Sequence, residues 1–256
     1  MAQTQKKGFR DTTIMLISHI ETGSILDAFT LKRVLSDVEK IQDEPTKLMI
    51  SALAYGAAAQ HEKAVSFFKE AASYRDEISA QNYLTYLGHT GHFEDYQNEA
   101  VRLGREINSF NLCITARNAA YADGDGELTL FFARKAISMI SDDNERNEMQ
   151  MDVLNKKKQL EDFIEVTSLY PSELKSLSLI ASTIAKNHNA LATSHDYYTS
   201  DDGDAAIICN VLCDDAEKLA NMDIDIAIAL ATNDSFASKN LTAWYRGNIE
   251  TEISAS

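Results

Sequence analysis

An internal repeat constrains this chain more than any other feature. The segments Gln60–Ala71 (QHEKAVSFFKEA) and Asp125–Ala136 (DGELTLFFARKA) each carry a phenylalanine pair, then a basic residue and an alanine. Their anchors, Ala64 and Leu128, stand 64 residues apart; Tyr96 lies halfway and Leu160 one further step of 32 beyond. Ala28 precedes Ala64 by 36, the extra four residues falling near Pro45. A fixed period of this size signals supersecondary units that cannot bury their apolar faces alone, so that three or more must stack. With 2 prolines and 10 glycines in 256 residues, the units are helical.

Each unit reads as a first apolar helix, a short turn and a second amphipathic helix. In the clearest, Ser79–Gly88 leads through His89–His92 into Phe93–Gly104, where Phe93, Tyr96, Ala100 and Leu103 make a one-faced helical stripe. Ala52, Tyr55, Ala59, Ala64, Phe68 and Ala71 in one unit resemble the tetratricopeptide repeat, as do Gly91, Tyr96, Ala100 and Leu103 in the next. Ala116, Ala119, Leu128 and Phe132 continue the pattern, with Lys135 where an alanine belongs and Glu148 in a degenerate fourth unit. The resemblance spans about residues 13–170, after an expected flexible N-terminus over 1–12. It implies a mainly α, tetratricopeptide-like α-solenoid of about five helix pairs, the other possibility being a generic helical bundle. It further implies that Met49, Gln81, Thr85, His89, Arg117 and Tyr121, on the first helices, face a partner.

Residues 171–256 differ in character and predict a small acidic α+β domain. A helix is expected over about Ser172–Asn189, capped by Ser172. Ser194–Ser200 reads as a strand, Asp201–Asp204 as a tight turn, and Ala205–Cys213 as a strand apolar on both faces. Asp214 and Asp215 would cap a helix reaching about Thr232, and Leu241–Gly247 reads as another strand. Within that helix Met222, Ile224, Ile226, Ile228 and Leu230 alternate with aspartate or alanine, a strand period. The preceding cap and the alanine content favour helix.

No chemical motif stands out. Ala122–Gly126 has a G-x-G but no third glycine and no preceding strand, so it reads as a repeat turn. Neither it nor Asp201–Asp204 completes a calcium loop. His89 and His92 lack further zinc ligands, and His61 and His92 hold equivalent turn positions. Cys209 and Cys213 read as buried small hydrophobes and Cys113 as a repeat-helix residue. No catalytic residue, metal or cofactor is therefore expected.

The net charge is −15, of which residues 171–256 carry −8. Such a surface disfavours nucleic acid, and no apolar run spans a bilayer. Without a signal peptide and with three cysteines, a cytoplasmic protein is expected. The reading is a non-enzymatic protein-interaction module with a basic protein partner, in the manner of an immunity or antitoxin protein, a secretion chaperone or a regulatory adaptor. Asp201, Asp202, Asp204, Asp214 and Asp215 would form its acidic docking surface. The alternatives are an enzyme with an unrecognised C-terminal catalytic domain, or a self-assembling structural protein.

Overall fold

The structure, a computed structural model, describes the backbone of residues 2–248 and the side chains of 10–247. It divides into two compact units, residues 1–99 and 100–256. Among the described residues there are eleven helices and three strands. The first unit holds α1 (Ala2–Thr22), α2 (Ala28–Val38), α3 (Glu44–Ala57), α4 (His61–Ser73) and α5 (Glu77–Thr90), and α6 (Phe93–Glu106) runs from it into the second. The second continues with α7 (Phe110–Ala122), α8 (Gly126–Ile137), α9 (Asp143–Thr167), α10 (Pro171–Asn187), β1 (Leu191–Thr199), β2 (Ala205–Leu212), α11 (Ala216–Thr232) and β3 (Leu241–Asn248). The stretch expected to be a flexible N-terminus is helical from Ala2 onward.

Helix starts are written in aspartate and serine. Asp43, Asp76, Ser109 and Asp142 cap α3, α5, α7 and α9, each accepting backbone N–H groups of the first turn. These caps are spaced by 33 residues each time. The hairpin turns repeat too: Ala59, Gly91 and Gly124 all take positive φ, at 56°, 81° and 75°, the left-handed geometry that ends a helix.

The true period is thus 33 in the first helices rather than 32, and this moves one alignment. Counted from their helix starts, Phe68, Ala100 and Ala133 are equivalent, as are Ala71, Leu103 and Ala136, and all six are fully buried. Phe132 is therefore not the counterpart of Phe68, although both are fully buried. Phe68 stacks on Tyr83 and approaches Tyr86, both at 5.3 Å, whereas Phe132 lies where a side chain at Gly104 would strike it. Tyr96 is only half-buried. Lys135 is not a misfit alanine either. Its ammonium donates to the carbonyls of Gly104 (2.6 Å) and Ile107 (3.3 Å), a cation on the C-terminal end of α6.

The fifth helix pair is absent. Where the period calls for a turn, near Asn155–Lys157, there is no glycine, and α9 continues unbroken for 25 residues. Within the units α3 pairs with α4 and α7 with α8 as helical hairpins, and α9 is one long helix. α10 is capped at Tyr170 rather than Ser172. Pro171 takes the first helical position, and the Tyr170 N–H donates to the Glu173 carboxylate at 2.8 Å.

The sheet order is β1-β2-β3, with β1 antiparallel and β3 parallel to β2, and α11 makes the crossover. Residues 222–230 are helical. β2 is buried on both faces, as a central strand must be. Its Ala205, Ile207, Cys209 and Val211 join Phe163, Leu177, Tyr197, Met222, Ile226 and Tyr245 in one core. Tyr197 donates to the carbonyls of Tyr121 and Ala122, and Tyr245 to that of Ala181, so both buried phenols are satisfied. On the outer side of β3, the Tyr245 N–H donates to the Asp223 carboxylate of α11 at 2.7 Å.

Candidate functional site

Of the residues expected to face a partner, Met49, Gln81, Thr85 and His89 lie in the first unit and Arg117 and Tyr121 in the second. Gln81, Thr85 and His89 recur every four residues on α5 and share a face. Thr85 is exposed, Gln81 donates to Glu77 at 3.0 Å, and His89 Nε2 lies 3.8 Å from Glu21. Met49 is buried in α3 and Tyr121 in α7, because the apolar stripes of those helices turn both into the core. Neither can present its side chain to a partner.

Arg117 belongs to a chain of charges within the second unit. It is half-buried, and burial lowers its pKa while Asp152 of α9, 3.5 Å away, opposes the shift. One turn on, Lys156 lies over the Tyr121 ring at 5.2 Å and pairs with Asp196 of β1 at 3.1 Å. Burial alone would raise the Asp196 carboxyl. The Asn210 amide, donating at 2.9 Å, and the Lys156 ammonium outweigh it and hold the group below the usual carboxylate range. Arg246 of β3 stands 3.8 Å from the same carboxylate. These groups satisfy one another and join α7, α9 and the sheet.

The acidic surface is split. Asp201, Asp202 and Asp204 are exposed in the β1–β2 turn, while Asp214 and Asp215 follow the far end of β2. Eight strand residues separate the groups, roughly 25 Å at the usual rise. Asp215 is also engaged as the α11 cap, accepting from the N–H groups of Glu217 and Lys218.

His92 meets His61 rather than His89: the two rings stack at 3.6 Å, and His61 Nδ1 lies 2.9 Å from the Tyr86 hydroxyl. Burial, and next the neighbouring His92, lower the His61 pKa. Among the described residues, no group of three or more histidine, cysteine, aspartate or glutamate side chains could hold a metal ion. The thiols are free. Burial raises the pKa of Cys113 and pushes Cys209 up to about 12.

A groove that the sequence reading missed opens between α8 and α9. Its volume is about 570 Å³, within the range of ligand and peptide sites. Buried Leu130, Ala133 and Val153 form its floor, with Ile137 and Leu154 beside them. Arg134, Arg146 and Lys157 line its rim, Lys157 being paired with Glu161 at 3.2 Å. Arg146 is held in place by Asp143 at 2.7 Å and by the Ile140 carbonyl at 2.8 Å. Arg134 is exposed, and no ion pair to it is formed among the described residues. Leu154 leaves 57% of its surface exposed. The signal was legible only in part: the cations sit on two helices whose packing the assumed fifth turn would have changed.

Among the described residues no helix is long and apolar enough to cross a membrane. No family model, curated protein or solved structure matches this chain.

Proposed function

We propose that this chain is a non-enzymatic protein-binding module, built on tetratricopeptide-like helical hairpins, whose docking site is the α8–α9 groove. The groove carries the reading: an apolar floor between two helices, ringed by three cations, in a chain of net charge −15. That combination suits an amphipathic helix with acidic flanks, laid with its apolar side on the floor. An acidic segment thus replaces the basic partner suggested by composition, since the aspartates of the C-terminal region do not converge on one patch. An adaptor or chaperone role fits this groove better than neutralisation of a basic toxin.

The test uses two synthetic amphipathic peptides with leucines at helical spacing, one carrying glutamate and the other lysine on the polar face. Fluorescence anisotropy should show binding of the glutamate peptide only. Leu154→Glu with Arg134→Glu should weaken it by about tenfold or more, which is about 1.4 kcal/mol. Equal binding of both peptides, or an unchanged affinity in the double variant, removes the groove as the docking site.

A further inference from the structure

The alternating isoleucines of α11 have a second consequence. In a helix, residues two apart point about 200° apart. A strand-like alternation folded as a helix therefore divides its apolar side chains between two opposite faces. Met222, Ile226 and Leu230 enter the core of the second unit. Ile224 and Ile228, one turn apart on the other side, are 57% and 56% exposed. Ala220, Ala227 and Ala231 extend that outer stripe and are exposed as well. Among the described residues, one side of α11 is covered by its own chain and the other is not.

We infer that the outer face of α11 docks in the α8–α9 groove of a second copy of this chain. The inference rests on the groove reading above and names its occupant. Shape and charge agree. Residues 214–232 carry five acids against Lys218, a net of −4; Asp215 caps the helix, Asp223 faces β3 and Asp225 meets His188 at 2.7 Å, so Asp214 and Glu217 are the carboxylates left beside the ridge. The groove offers an apolar floor within a rim of Arg134, Arg146 and Lys157. Pairing α11 with α11 across a two-fold axis would instead bring two negative helices together. α11 cannot occupy its own chain's groove, because its inner face and Asp223 fix it to the sheet. Groove and ridge are different surfaces, so the contact is heterologous: each copy has one of each, and association proceeds past the dimer unless a ring closes.

The experiment is sedimentation velocity on the full chain between roughly 1 µM and 1 mM. Two variants are compared: Ile224→Glu with Ile228→Glu, which keeps the groove, and Leu154→Glu with Arg134→Glu, which keeps the ridge. All four residues are exposed, and circular dichroism melts confirm folding of each variant. The wild type should form species larger than a dimer as concentration rises, and less so at high salt. Each variant alone should remain monomeric. Mixed in equal amounts, they should form a heterodimer and nothing larger, because one ridge and one groove survive. A monomeric wild type throughout, association of the groove variant as strong as wild type, or a mixture that stays monomeric each overturns the inference. If the wild type stays monomeric yet binds the glutamate peptide, the occupant is wrong and the groove stands. If it binds neither, both fall.

Discussion

Phe68 shows how far a single residue could be read. Its fully buried ring against Tyr83 and Tyr86 is what the stripe around Ala64 and Ala71 requires. Phe68→Ala should cost about 3–5 kcal/mol in urea unfolding, while Glu70→Ala, exposed on the same helix, should change stability little. Equal effects would mean that the buried face of α4 is misassigned. His195 was not legible, because only the register with Cys209 turns it inward. Burial lowers its pKa to about 4, and its Nε2 finds no hydrogen-bond partner among the described residues. The folded state keeps the ring neutral, whereas the unfolded chain takes up a proton near pH 6.5. Stability is therefore complete above pH 6.5 and falls as the pH drops toward 4, by about 3 kcal/mol for this group. His195→Gln should flatten that part of the stability profile relative to wild type. Parallel profiles would place the histidine in water.

At the scale of elements, β2, β3 and α11 were predicted to within about a residue, while β1 begins at Leu191, three residues before the expected Ser194. Short-range chemistry decides each: β-branched runs, an Asp-Gly turn and an aspartate cap. The hairpins were legible as a class but not in register. The phenylalanine pair suggested a period of 32, whereas the caps Asp43, Asp76, Ser109 and Asp142 keep 33. One residue of slip is about 100° of helix rotation, which made Lys135 look like a failed alanine. Asp76→Ala should cost about 1–2 kcal/mol, since its carboxylate takes both the N–H (2.7 Å) and the hydroxyl (2.6 Å) of Ser79. α9 was misread for the opposite reason. A repeat pattern was extended through a sequence with no residue to stop a helix. Asn155→Pro, at an exposed position in its middle, should lower stability by about 3 kcal/mol or more by breaking that continuity. Wild-type stability for this variant would show that α9 already bends there.

For the molecule as a whole, net charge was the least reliable guide. It suggested one acidic face, yet the aspartates divide between two ends of a strand and the groove rim is positive. Replacing Asp201, Asp202 and Asp204 with asparagine should leave glutamate-peptide binding unchanged; a large loss would move the docking site to the β1–β2 turn. One small contact reaches furthest. A bordering strand with free N–H groups is a template on which other chains can grow as cross-β fibrils. Asp223 occupies such a group on β3. Its carboxylate hinders strand addition at that position of β3. Asp223→Ala should remove this hindrance without opening the core. After prolonged incubation the variant should give thioflavin-positive fibrils sooner than wild type, a liability set by one side chain.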